Sequence, residues 1–217
     1  LLQTRNGKRT AAAAFKVARD LVEEGTITRE QALRRIEAGQ LDQLLHPAID
    51  PDHGQTPITK GLNASPGAAV GEIVFDSDTA EARGKAGDQV ILVRWETTPD
   101  DIAGTIAAQG VLTAHGGMTS HAAVVARGMG KPCVAGASAA KVDATAKKVT
   151  IGDTVLHEGD TITLDGSTGE VYVGALELVP PQINEDFSAV VGWADEVRRM
   201  GVRANADTGE DAARARE

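Results

Sequence analysis

His121 follows Gly116-Gly117-Met118-Thr119-Ser120 and leads into Ala122-Ala123-Val124-Val125-Ala126-Arg127-Gly128-Met129-Gly130. The two glycines make a flexible turn, Thr119 and Ser120 carry hydroxyls suited to cap a helix, and the alanine-rich run that follows is apolar. That order sets an imidazole beside the positive end of a helix dipole. An imidazole can move protons, bind a metal, or attack phosphorus and hold the product as a phosphoramidate. The first role needs an oriented nucleophile and the second needs further ligands. The third needs a neutral exposed ring nitrogen, donors for the phosphoryl oxygens, and no competing negative charge.

The surrounding residues supply the features of the third role. Gly116 and Gly117 can bring backbone N–H groups close to an anion, and Thr119 and Ser120 add hydroxyls. From Ile102 to Val142 there is no Asp or Glu, while Arg127, Lys131 and Lys141 are present. Buried segments avoid acids in any case, and a phosphoryl site must avoid them. Arg127 lies six residues past His121, off its immediate face. It and Lys131 are candidate phosphate or docking contacts. A lone histidine after glycines can also simply cap or pack against a helix, and the loop is neither a Walker loop nor a dinucleotide fingerprint. His115 reads as a polar loop residue, Cys133 as a small buried one, and Met118 and Met129 as packing residues.

Composition narrows the alternatives. The 217 residues are 41% hydrophobic and 24% charged, as in an ordinary globular protein, and only 3% aromatic, so Ala, Val, Ile and Leu must build the core. One cysteine excludes an internal disulfide and a cysteine-rich metal site. The histidines at 46, 53, 115, 121 and 157 are scattered, and no metal site is expected from them. A net charge of -9 argues against non-specific nucleic-acid binding. No apolar run is long enough to cross a membrane, no signal peptide is evident, and a cytoplasmic or organelle-matrix setting is the default. The chain starts with Leu and reads as a fragment of something longer.

The elements that would hold the histidine fall into three stretches. Residues 1–58 read as a helical connector: a helix over Ala11–Glu24, a second opened by a Thr28/Gln31 capping box and ending near Gly39, a short turn at Leu41–Leu45, and a Pro/Gly-rich linker. Residues 59–179 read as a mixed α/β domain. Strands are expected over 68–75, 89–93, 111–113, 133–135, 148–151, 161–164 and 170–173, and helices over 80–85, 99–109 and 120–127. The strand-helix-strand order from 89 to 135 favours parallel pairing, and Asp165-Gly166-Ser167-Thr168-Gly169 is a hairpin turn. In residues 180–217, Pro180-Pro181 breaks the chain. Phe187 to Met200 has helical spacing, and Val202–Ala206 with Thr208–Glu217 looks like the first strand and helix of a further α/β domain.

The run from Leu112 to Gly130 resembles the phosphohistidine motif of the phosphoenolpyruvate-utilising family, in its pyruvate, phosphate dikinase branch. The synthase and sugar-phosphotransferase branches usually have Arg where this chain has Met118. The likeness extends to Gln3 and Arg5 with Gly7-Lys8-Arg9-Thr10, similar to the end of an ATP-grasp nucleotide domain. Gln40 to Pro47 looks like the helical linker, and Gly61-Leu62 with Ala64-Ser65-Pro66-Gly67 like the first strand region of the swivelling domain. Glu96-Thr97, Pro99 to Ile102 and Ile162 to Tyr172 also fit, and Arg203 to Asp207 is similar to the first strand of the pyruvate-binding β/α barrel. At His115 most members have Arg, and at Pro132 most have Cys.

The resemblance implies a swivelling β/β/α phosphohistidine domain, preceded by a helical linker and followed by the start of a β/α barrel. It implies that His121 accepts a phosphoryl group from ATP and passes it to pyruvate, with phosphate as co-substrate and Gly116, Gly117, Thr119 and Ser120 positioning the group. Mg²⁺ and a monovalent cation (K⁺ or NH₄⁺) would act at the distant sites, none of them held by this stretch. Thr119 matches a regulatory phosphorylation site served by a kinase/phosphorylase, and the full-length enzyme would be a homodimer in the cytoplasm, or in the plastid stroma of a plant. The fragment alone is not expected to complete the reaction. The competing readings are a phosphoenolpyruvate synthase or related phosphotransferase, and a non-catalytic regulatory or scaffold domain.

Overall fold

The computed structural model describes residues 9–181, 183–201, 209 and 213. Its elements begin with helices α1 (Ala11–Glu23), α2 (Arg29–Leu33) and α3 (Ala38–Leu45), then strands β1 (Ala48–Ile49), β2 (Thr59–Lys60), β3 (Leu62–Ser65) and β4 (Ala68–Val74). Next come α4 (Ser77–Lys85), β5 (Val90–Arg94), a 3₁₀ turn at Pro99–Asp101, α5 (Ile102–Ala107), β6 (Gly110–Thr113), α6 (His121–Gly128) and β7 (Cys133–Ala135). The chain continues through β8 (Ala140–Asp143), β9 (Lys148–Ile151), β10 (Thr154–His157), β11 (Thr161–Asp165), β12 (Glu170–Val173), β13 (Leu178–Val179) and α7 (Glu185–Val197). Two compact units result, one within 1–37 and 183–217, the other Ala38–Gln182.

In the first unit α1, α2 and α7 pack together. Thr10 caps α1, the expected Thr28/Gln31 box caps α2, and Asn184 caps α7. Phe15 is buried and stacks on Phe187, with ring centroids 5.8 Å apart. The helix expected to run to Gly39 stops at Leu33. The amides of Arg35 and Ile36 reach back only three residues, which tightens the chain into a turn. Gly39 then lies inside α3 rather than ending a helix. The helical spacing read as far as Met200 also ends early, at Val197, where Arg198 turns extended.

The second unit is built on an eight-stranded sheet of order β2-β12-β11-β4-β5-β6-β7-β3. Strands β4, β5, β6 and β7 run parallel, and β11 with β12 forms the antiparallel hairpin foreseen at Asp165–Gly169. The parallel strands are continuous apolar runs such as Val90-Ile91-Leu92-Val93, wholly buried, as a sheet covered on both faces requires. A second sheet, β10-β9-β8, lies outside the expected strand set except for β9. It tucks Val149, Ile151 and Leu156 into the core beside Ile73 and Phe75. β1 pairs with β13, and the Ala68 amide donates to the Pro47 carbonyl at 2.8 Å, so part of the stretch read as connector is joined to this unit. The strand and helix expected over Val202–Ala206 and Thr208–Glu217 lie outside the described residues, apart from Gly209 and Ala213, which are helical.

Candidate functional site

The C-terminal ends of neighbouring parallel strands are where α/β sheets bind ligands, and two of them meet here. The loop after β5 carries Trp95, Glu96, Thr97 and Thr98, and the loop after β6 carries His115 to Ser120. Backbone bonds join them. The Ala114 amide donates to the Arg94 carbonyl at 3.1 Å and the His115 amide to the Trp95 carbonyl at 2.7 Å. These bonds continue the β5–β6 ladder past the last strand residues and fix one loop against the other.

His121 is the first residue of α6 and is half-buried. Ser120 caps the helix, its side chain accepting from the Ala123 amide, while the Ser120 carbonyl accepts from Val124 at 3.0 Å. The amides of His121 and Ala122 have no intrahelical carbonyl to reach, so they are left to meet an anion. Ala122, Ala123 and Ala126 are buried against Val111, Cys133 and Ala135. Small side chains there let the helix lie close to the strands and fix where its first turn projects.

The imidazole itself is held from the neighbouring loop. Its Nδ1 lies 3.3 Å from the Thr97 hydroxyl, and Thr97 is buried. With Nδ1 so engaged, Nε2 is the nitrogen left to react. When Nδ1 carries the proton, Nε2 keeps the lone pair a nucleophile needs. Thr97 was not among the residues singled out for chemistry. The signal that would have found it is its place just beyond β5, next in the sheet to the strand that leads to His121.

The two glycines differ. Gly116 has φ +114°, and a β-carbon there would stand 2.9 Å from that of Ser120, so only glycine suits the position. Gly117 has nothing within 4 Å of a would-be β-carbon. Thr119 and Met118 are exposed beside the histidine.

Arg127 and Lys131 are occupied elsewhere. The Arg127 guanidinium donates twice to the Ala64 carbonyl, from Nε at 3.2 Å and Nη2 at 2.6 Å, tying α6 to β3. Lys131 donates to the Ala108 carbonyl at 2.7 Å, and burial lowers its pKa. Arg127 also lines a cavity of about 570 Å³ together with His46, Asn63, Ser65, Met118 and Ser167, and His121 is not among its lining residues.

The acid-free stretch does not leave the site free of acids, because the β5 loop brings two. Glu96 is exposed and lies 3.3 Å from Nδ1 of His115, whose ring stacks on Trp95 with centroids 5.4 Å apart. Asp101 is buried and lies 3.3 Å from Nε of Arg94. His115, read as a bland loop residue, is thus part of an exposed Trp95–His115–Glu96 cluster. Gln3 and Arg5 lie outside the described residues. Among the described residues no group of three or more His, Cys, Asp or Glu side chains converges to hold a metal.

Residues 86–169 match the family model described as PEP-utilising enzyme, mobile domain. This stretch is similar to the mobile domain of the phosphoenolpyruvate-utilising enzymes. The likeness to individual proteins runs the whole length of the chain. It is 54% identical over 216 residues to a pyruvate, phosphate dikinase of Rhizobium meliloti (strain 1021), covering 100% of this chain and 24% of that protein. Against the chloroplastic pyruvate, phosphate dikinase 1 of Oryza sativa subsp. japonica the identity is 53% over 219 residues, covering 100% and 23%. Against the pyruvate, phosphate dikinase of Entamoeba histolytica it is 51% over 218 residues, covering 100% and 24%. The chain therefore spans about a quarter of the length of these relatives. A solution structure of Enzyme I (nEIt), 25% identical and covering 50% of this chain and 36% of that one, superposes with a TM-score of only 0.29, too loose to transfer any residue role. The α/β phosphohistidine-domain fold expected from the motif agrees with the family match and with the sheet described above.

Proposed function

We propose that His121 is the phosphoryl carrier of an enzyme with pyruvate, phosphate dikinase activity. The observation that carries this reading is a histidine at the first position of a helix with Nδ1 held by Thr97, in a chain alike over its full length to named dikinases. On this reading Nε2 attacks the β-phosphorus of ATP and AMP leaves, giving a pyrophosphorylated histidine. Free phosphate takes the terminal phosphoryl group and departs as diphosphate. The phosphohistidine then gives its remaining group to the enolate oxygen of pyruvate, which releases phosphoenolpyruvate and restores the ring. The free amides at the start of α6 and the Ser120 and Thr119 hydroxyls face the group in transit, with Gly116 supplying the turn.

Residues 1–58 and 180–217 are then the connections to a nucleotide domain and to a pyruvate-binding barrel, and 59–179 the part that swings between them. Mg²⁺ and K⁺ or NH₄⁺ belong to those other domains. A phosphate on exposed Thr119 would add about two negative charges beside the helix start and repel the incoming group, which suits an off-switch worked by a kinase/phosphorylase. A homodimer in the cytoplasm or plastid stroma completes the reading, and three of the similar dikinases are named chloroplastic. The fragment by itself is expected to hold a phosphoryl group without turning over.

The test is the full-length protein incubated with ATP labelled at the β-phosphorus. Acid-labile label on the wild type that vanishes in His121→Ala supports the carrier role. No label, or equal label on both, defeats it. Release of diphosphate that depends on added phosphate separates a dikinase from a synthase.

A further inference from the structure

The Thr97 hydroxyl can orient His121 only if its own loop is rigid, and the bonds that make it rigid converge on Asp101. The Asp101 Oδ2 accepts from the Thr98 amide at 2.9 Å and from the Thr98 hydroxyl at 3.3 Å, and the Asp101 amide donates back to the Thr98 carbonyl at 3.0 Å. This is a closed box around the residue next to Thr97. The Asp101 carbonyl is taken by the Thr105 hydroxyl at 2.9 Å, which locks the box to α5. The other carboxylate oxygen, Oδ1, lies 3.3 Å from Arg94 Nε. That Nε has no aligned hydrogen-bond acceptor, so the contact is a charge pairing. Arg94 is itself rooted, its Nη1 donating at 3.0 Å to the Phe75 carbonyl just beyond β4. The turn is thereby anchored to β4, to β5, and through Trp95 and His115 to β6.

A helix start needs no buried charge. An exposed Glu or Gln at the third helical position closes a capping box as well. The Asp101 side chain is only 4% exposed, and burying a carboxylate is costly unless it is paired and hydrogen-bonded. A carboxylate so deeply set and so fully engaged suits holding one geometry better than adding stability. We propose that Asp101, braced by Arg94, is a positioning residue for His121. It fixes the Thr97 hydroxyl so that the ring protonates on Nδ1 and keeps its lone pair on Nε2. The assignment of Nε2 as acceptor rests on the carrier reading above, whereas the control of the ring's tautomer does not.

The test uses the full chain labelled with ¹⁵N in its histidine rings. Long-range ¹H–¹⁵N spectra above the ring's titration range report which nitrogen of His121 carries the proton. Phosphoramidate, a small phosphoryl donor, reports the rate of labelling at His121. The wild type is expected to be protonated on Nδ1. Asp101→Ala and Thr97→Val are expected to lose that preference and to label more slowly, on the order of tenfold, as for the loss of one ordinary hydrogen bond. Asp101→Asn keeps an acceptor for the Thr98 amide and is expected to restore most of the Nδ1 tautomer. If Asp101→Ala does not fold, Asp101→Ser, with a hydroxyl but no charge for Arg94, makes the same comparison with a smaller shift. A wild-type ring protonated on Nε2, or a tautomer unchanged in folded Asp101→Ala or Asp101→Ser, overturns the proposal even if labelling proceeds. The Nδ1 tautomer lost in those variants, with no label on the wild type, upholds it while the carrier reading falls.

Discussion

Gly136 lies so close to Gly116 that a β-carbon on Gly136 would stand 2.5 Å from the Gly116 carbonyl oxygen. Both glycines have positive φ, +64° and +114°. The turn after β7 is thus the floor on which the histidine loop rests. Gly136→Ala must push the Gly116 carbonyl away and also bear the roughly 1–2 kcal/mol of a left-handed residue with a side chain. The expected outcome is a melting temperature lower by about 2–8 °C and labelling of His121 slowed by about tenfold or more, since small displacements of a reacting group are costly. Gly117→Ala, with open space around it, should match the wild type in both. Equal labelling of the two variants would mean that the loop does not depend on this contact.

Arg127 offers a choice between two roles that the sequence left open. Its two donors converge on the Ala64 carbonyl, so it ties α6 to β3. Arg127→Met should therefore cost about 1.5–3 kcal/mol of stability, the range for hydrogen bonds from a charged group. Labelling of His121 by a small phosphoryl donor should persist in whatever protein remains folded. Labelling abolished at unchanged stability would instead make Arg127 a contact of the phosphoryl group.

These two cases mark what could be read in the sequence. The buried run Val90–Val93, the hairpin at Asp165–Gly169 and the Ser120 cap were legible because each is a local pattern with its own physics. His121 was legible as a helix-start imidazole for the same reason. Thr97 was not, because its meaning comes from the parallel pairing of β5 with β6, which brings segments about twenty residues apart to one edge, and Asp101 was not, because its place is to brace the loop that holds Thr97. The same pairing delivers Glu96 next to a stretch that, read alone, has no acid. Arg127 and Lys131 looked like free cations because a one-dimensional reading cannot see the carbonyls that occupy them. Strands β8 and β10 escaped notice because each is short and half-exposed, and only pairing with β9 makes them a sheet.

In the helical unit the stack of Phe15 on Phe187 should dominate the stability of α1 and α7. Phe15 is 1% exposed, so Phe15→Ala should cost about 3–5 kcal/mol. Asn184→Ala, which removes the cap of α7, should cost about 1 kcal/mol. Amide hydrogen exchange in α1, α2 and α7 reads both changes, with the larger acceleration expected for Phe15→Ala. An equal or reversed order would mean that the stack contributes less than its burial implies.

Cys133 carries a pH dependence of definite sign. Burial pushes its thiol up from 9.0 to about 12, and nearby Arg127 opposes the shift only in part. Above pH 9.0 the unfolded thiol loses its proton while the folded one keeps it, so the folded state binds more protons and stability falls as pH rises toward about 12. The slope approaches at most roughly 1.4 kcal/mol per pH unit. Tyr172, raised from 10.0 to about 12 by burial and by its bond to Glu170, adds a similar loss that begins one unit higher. Denaturant titrations of wild type and Cys133→Ala from pH 8 upward should therefore diverge first between about pH 9 and 10, because the thiol is the titrating group that the two proteins do not share. The same burial should keep a neutral thiol reagent from labelling Cys133 at pH 8 until denaturant is added. Rapid labelling of the native protein, or parallel stability curves for the two proteins through that interval, would show that the thiol is not held neutral as this packing requires.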